Sequence, residues 1–192
     1  LDETFFKGVY KLKPAHYMVF EDGKLDIKRY WQPEFEPEKD IVADPVNGKK
    51  LQDAIQEVED VMLESVGMHT VVSDVEVGSF LSSGVDSSFV AATFRNGMDK
   101  ESGKTFTVGF DYEKYNEIGY AQELSKYVGI ESNSKIISTD EYWESLPKVQ
   151  YHMDEPLADP SAVALYFVSK LAREKVKVAL SGEGADEFFG GY

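Results

Sequence analysis

The chain has 192 residues, 42% hydrophobic and 13% aromatic, enough for one domain with a real core, or for one domain plus part of another. Its 20 basic and 35 acidic residues leave a formal charge of −15, which argues against nucleic-acid binding, since that needs a net basic face. The absence of cysteine excludes disulfides, a thiol nucleophile and cysteine-based zinc sites within this stretch, and no apolar run approaches the roughly 20 residues of a membrane span. These features fit a reducing, cytoplasmic setting away from membranes.

The chain starts at Leu1 without a signal-peptide pattern, so the start reads as a cut inside a longer protein. Residues 5 to 31 alternate in polarity and predict a short strand, a break at Lys13-Pro14, and a hairpin with strands 15–20 and 25–31. Its turn is Glu21-Asp22-Gly23-Lys24. Residues 1–35 read as the trailing edge of a β-rich domain that lies upstream. Residues 32 to 48 hold three prolines and many acids, and the linker is placed at 36–48. From 49 onward the pattern changes to helices and Val/Ile-rich strands.

A helix is predicted over about 49–66, with Leu51, Ala54, Ile55, Val58, Val61 and Met62 at helical spacing. Val75–Leu81 reads as a buried strand, followed by a helix from about Ser87 to Asn96. A second strand is expected at 104–110, a helix at 117–128 closed by Gly129, and a third strand at 133–138. Residues 140–152 predict a helix that breaks or restarts at Pro147. Asp159 and Pro160 signal the start of a helix running to about Glu174, with Val163, Phe167 and Leu171 inward. Residues 176–180 form the fourth strand. Strands alternating with helices imply an α/β fold: a parallel sheet flanked by helices, with ligands at the carboxyl ends of strands.

Two of those strand ends carry unusual loops, "SSGVDSS" at 82–88 and "SGEGADE" at 181–187. A loop of small residues between strand and helix is expected to leave backbone N–H groups unpaired and outward, beside the positive end of the helix. That suits phosphate. Gly84 permits an unusual backbone angle, and the neighbouring serine hydroxyls add donors. Asp86 beside phosphate makes sense if it holds Mg²⁺. The Walker-A spacing is absent. Glu183, Asp186 and Glu187 crowd the second loop and call for a counter-charge. Taken alone, the first loop reads equally well as a capped turn; the pair of loops favours a ligand site. His16, His69 and His152 lie far apart without metal spacing. Capping is the expected role of Asp159. Asp154 and Glu155 stand as neighbours of a site, and Tyr112, Tyr115 and Tyr120 as core or surface residues that could otherwise stack on a base.

Ser82-Ser83-Gly84-Val85-Asp86-Ser87 resembles the SGGxDS signature of the PP-loop ATP pyrophosphatases. "LSGEGADEFFGGY" (180–192) resembles the second signature of asparagine synthetases, and "TFTVGF" and "HMDEP" resemble other stretches of that family. "FFKGVYKLKPAHY" resembles the end of their glutamine amidotransferase domain. The resemblance implies an adenine nucleotide alpha hydrolase-like fold over 49–192, preceded by a hairpin remnant. It implies ATP and Mg²⁺ as ligands, with aspartate and ammonia, drawn from glutamine in the larger enzyme, as further substrates. Leu81, Ser82, Ser83, Gly84, Asp86, Ser87, Val108, Ser181 and Gly182 would line the ATP site, with the pyrophosphate held by 82–87 and Val108 near adenine. Asp86 and Asp186 would bind Mg²⁺, and Glu183 would act in forming or orienting the adenylate. Family members are often dimers, so a homodimer is the implied assembly. Ser83 stands where the family pattern has Gly, at a cost on the order of 1 kcal/mol if that position needs a left-handed backbone. Lacking the amidotransferase cysteine, the stretch is not expected to hydrolyse glutamine that way, and because the family's synthetase domain continues beyond this second loop, the stretch itself is expected to be impaired. A β-lactam-synthetase-like enzyme acting on another carboxylate, and a non-catalytic nucleotide-binding module, are the alternatives.

Overall fold

The computed structural model describes residues 2–35, 49–96, 103–112 and 116–191. The expected linker at 36–48 and Tyr115 lie outside the described residues.

Strands β1 (His16–Glu21) and β2 (Lys24–Arg29) form an antiparallel hairpin, with Glu21 paired to Lys24. The two-residue turn has φ of 50° at Asp22 and 74° at Gly23, the left-handed pair that matches hairpin twist. The short strand expected before it is reduced to one bridge, Glu3 to Tyr10. Both faces of the hairpin are open, leaving Tyr17, Phe20, Leu25 and Ile27 exposed.

The second unit begins with α1 (Lys49–Val71), followed by β3 (Val77–Phe80) and α2 (Val85–Asn96). Then come β4 (Lys104–Phe110), α3 (Ile118–Val128), β5 (Glu131–Ile137) and α4 (Thr139–His152). The chain closes with α5 (Ser161–Arg173), β6 (Val178–Leu180) and a short helix, α6 (Ala185–Phe189). The four strands β3–β6 form a parallel sheet in the order β5-β4-β3-β6. β4 is central and largely buried, as a strand covered on both faces should be. Phe106 on one face packs against Val168, Ala172 and Val176, while Thr105 on the other shares a 2.9 Å hydrogen bond with Ser125 of α3. Helices α4 and α5 therefore cover one face, and α2 and α3 the other.

Several expectations need correction. α1 runs one turn further than predicted, and its apolar stripe is only partly used: Ile55, Val58 and Val61 are exposed, and Val66 enters the core. α4 is continuous through Pro147. Its start is a capping box: the Ser138 hydroxyl accepts from the Glu141 N–H, and the Glu141 carboxylate accepts from the Ser138 N–H. Asp159 does cap α5, accepting from the Ser161 N–H at 2.9 Å. The stretch after β6, expected as loop, contains α6.

Candidate functional site

The chain leaves β3 for β4 and β5 on one side, then returns to place β6 against the other side of β3. The strand order reverses between β3 and β6, so the loops leaving these two strands splay apart at the base and open a crevice. These are the two polar glycine loops. They meet there: Gly182 lies directly against the backbone of Asp86 and Ser87, where even a Cβ would be crowded.

The resulting cavity has a volume of about 540 Å³. Leu81, Ser82, Gly84, Asp86, Ser87, Val108, Ser181, Gly182, Glu183 and Asp186 all line it. Of the residues expected to bind ATP or Mg²⁺ or to act on the adenylate, Ser83 alone does not. It is exposed, and its N–H donates to the Glu117 carboxylate at 3.0 Å. Asp154, Glu155, Tyr112 and Tyr120 are also absent from the walls; Glu155 pairs instead with Lys11. A larger cavity of about 740 Å³ adjoins along Asp86 and Gly182–Gly184, but its walls are mainly apolar side chains of α1, α2 and α6. The smaller cavity holds the loop hydroxyls and the first turn of α2, and so is the one equipped for a polar ligand.

Sequence reasoning missed part of the wall. Phe80 and Phe110 supply apolar surface from the ends of β3 and β4, Phe106 from within β4, and Glu117 and Ser161 arrive from the starts of α3 and α5. The available signal was positional: residues at the carboxyl end of a parallel strand, or opening the following helix, face the crevice.

The loop itself differs from expectation. Its N–H groups are not all free. Ser82 N–H donates to the Ser87 hydroxyl at 3.1 Å, and Gly84 N–H donates to the Ser82 hydroxyl at 3.1 Å. The N–H groups of Val85, Asp86 and Ser87, in the first turn of α2, find no acceptor among the described residues. Anion-binding capacity has thus moved from the loop to the helix start. Neither Gly84 nor Ser83 has a positive φ. The unusual angle expected of Gly84 is absent, and serine at 83 carries no left-handed strain. What Gly84 provides is closeness, since a Cβ would stand 3.3 Å from the Ser82 hydroxyl oxygen.

Electrostatics limit what can enter. Asp86, Glu117, Glu183, Asp186 and Glu187 line the cavity, and no Lys, Arg or His does among the described residues. A polyphosphate can enter such a space only with a cation. No group of three or more candidate ligands converges on one point among the described residues. Asp86 and Asp186 both line the cavity, and Mg²⁺ would need few protein ligands there, because this ion keeps several waters and takes further oxygens from phosphate.

A family model described as "Asparagine synthase" matches residues 57–192. Over 190 residues the chain is 44% identical to the glutamine-hydrolyzing asparagine synthetase 1 of Bacillus subtilis (strain 168), covering 98% of this chain and 28% of that protein. It is 34% identical over 189 residues to a putative glutamine-hydrolyzing asparagine synthetase of Methanocaldococcus jannaschii, covering 98% and 35%. The chain spans less than a third of the length of the first curated relatives. Among solved structures, it resembles the glutamine-dependent NAD+ synthetase of Acinetobacter baumannii in complex with ADP, with a TM-score of 0.54 and 17% identity over 71% of this chain and 27% of that one. The NMN synthetase of Francisella tularensis gives 0.52 and 16%, over 71% and 58%. At those identities the likeness is one of fold.

Proposed function

The chain belongs to the asparagine synthase family, and on that footing we propose that it forms the ATP-binding part of an enzyme that makes asparagine from aspartate. The observation that carries this reading is the meeting of the loops after β3 and β6, with Gly182 seated on the Asp86–Ser87 backbone. Neither loop makes a cavity by itself. Together they set free N–H groups, hydroxyls and four carboxylates, Asp86, Glu183, Asp186 and Glu187, around one space, with aromatic and aliphatic surface beside them.

In the proposed reaction the β-carboxylate of aspartate attacks the α-phosphate of ATP. The bond between the α-phosphorus and the bridging oxygen breaks, and pyrophosphate leaves with that electron pair. Ammonia then attacks the acyl carbon of β-aspartyl-AMP, giving asparagine and AMP with loss of a proton. The chain's own residues have distinct tasks. The first turn of α2 and the Ser82 and Ser87 hydroxyls hold the leaving pyrophosphate, stabilising charge as it develops. Leu81, Val108, Ser181 and Gly182 border the nucleoside. Glu183 orients the acyl phosphate. Asp86 and Asp186 would hold Mg²⁺, which supplies charge neutralisation to the phosphates when bound. Residues 1–35 correspond in this reading to the end of an amidotransferase domain that supplies ammonia, joined through 36–48, and the enzyme works in the cytoplasm as a homodimer.

The test is exchange of labelled pyrophosphate into ATP by the chain restored to its full reading frame, with aspartate set against a panel of other carboxylates. Exchange that needs aspartate and is abolished in Asp86→Ala and Glu183→Ala supports the reading. Exchange with another carboxylate moves it to the β-lactam-synthetase-like alternative, and ATP binding without any exchange leaves a nucleotide-binding module.

A further inference from the structure

Glu117 joins two places that the sequence keeps 34 residues apart: its carboxylate accepts the Ser83 N–H at 3.0 Å. Its position is well determined. Gly109, at the end of β4, lies where a Cβ would come within 2.6 Å of the Asn116 carboxamide oxygen and 3.1 Å of the Ile118 side chain. The missing Cβ lets the start of α3 settle onto β4. Asn116 then caps α3, accepting the Ile118 N–H at 3.1 Å. Glu117, held between these two residues, projects into the cavity wall and across to the loop after β3.

The contact bears directly on the loop's donors. The Ser82 and Gly84 N–H groups are occupied by the loop's own hydroxyls. Ser83 N–H lies between them and is occupied by a negatively charged oxygen from another element. A carboxylate oxygen and a phosphate oxygen compete for the same kind of donor. The contact is solvent-exposed, so its net strength is modest and a better-placed anion can displace it. Its charge also repels a polyphosphate approaching the first turn of α2.

We infer that Glu117 is a displaceable latch: it occupies the Ser83 N–H and gives way when the phosphates of a nucleotide bind. The inference rests on the nucleotide reading of the cavity. Glu117 is here a positioning residue that sets affinity and loop geometry, and it takes no part in bond making.

The experiment has two arms on the full chain, comparing wild type, Glu117→Gln and Glu117→Ala. In the first, amide hydrogen exchange is followed without ligand. The Ser83 amide should exchange several-fold faster in Glu117→Ala, with the amides of β4 unchanged; equal exchange would remove the latch. In the second, MgATP and magnesium pyrophosphate are titrated. Both variants should bind more tightly, by about fivefold, the effect of removing one solvent-screened like charge at a few ångströms. Unchanged or weaker binding in both variants overturns the inference. Absence of binding in wild type and variants alike overturns displacement and the nucleotide reading together. Tight wild-type binding with no gain in the variants overturns the latch alone.

Discussion

Gly182, at the start of the loop after β6, is in backbone contact with Ser87 in the first turn of α2: a Cβ built on Gly182 would stand 3.0 Å from the Ser87 nitrogen. The same Cβ would lie 3.1 Å from the Asp86 carbonyl carbon and 3.2 Å from the Asp86 Cβ. Two of these three neighbours are backbone atoms, which cannot rotate away as a side chain can.

Gly182→Ala should therefore push the two loops apart. The expected cost is about 1–3 kcal/mol, as for other overpacked sites, with MgATP affinity reduced at least tenfold. Urea denaturation together with nucleotide titration measures both. Unaltered affinity at unaltered stability would show that the loops need not touch.

Nucleotide binding should depend on a divalent cation. The cavity presents five carboxylates and no basic side chain among the described residues, so ATP alone meets repulsion. Chelation with EDTA should abolish ATP binding, and readdition of Mg²⁺ should restore it. Asp86→Asn should raise the Mg²⁺ concentration required for half-saturation, while far-ultraviolet circular dichroism stays unchanged because Asp86 is exposed. Equal ATP affinity with and without cation would contradict the prediction.

Acid should destabilise the fold through three carboxylates. A hydrogen bond from Lys175 holds Glu131, and one from Lys135 holds Glu141, below the ordinary value of 4.5. Hydrogen bonds from Ser161 hold Asp159 below 3.8. A depressed folded-state pKa means the native state binds fewer protons than the unfolded chain. The stabilisation is full above the ordinary values and is lost as pH falls through the folded ones. The urea midpoint should be nearly flat from about pH 7 to 5 and drop below about pH 4.5. Lys135→Ala with Lys175→Ala should make that drop shallower; an identical slope in the double variant would rule out these pairs as the cause.

Pro147 sits within α4 and is exposed. It deprives the Trp143 carbonyl of its helical donor and crowds that turn. Pro147→Ala restores the N–H and leaves no buried void. The expected gain is about 1–3 kcal/mol, read as a higher thermal midpoint. A lower midpoint would mean that the proline's fixed φ serves the unbroken helix.

Much of the architecture follows from local chemistry. β4 covers the predicted 104–110, and Gly129 closes α3 where expected, because the signals involved act over a few residues: a run of buried β-formers and a C-terminal glycine. The Asp22-Gly23 turn and the Asp159 cap are local in the same sense. Helix α4 departs from its local signal. Ser138, Glu141 and the burial of Val149 supply enough helical stabilisation to carry the chain through Pro147.

The sequence by itself determined which two loops carry polar, glycine-rich chemistry, because residue types and their spacing are written there. Only the tertiary structure decided how those residues are used. Placing β6 beside β3 brings Gly182 onto Ser87, and placing β4 on the other side brings Glu117 onto Ser83. Both contacts join residues far apart in the chain, through a strand order that no local propensity specifies. That packing fills the Ser83 donor, while the loop's own hydroxyls fill those of Ser82 and Gly84, and the donors of Val85, Asp86 and Ser87 stay open among the described residues. Hydrogen-bond satisfaction depends on every acceptor within reach, and that set exists only once the chain has folded.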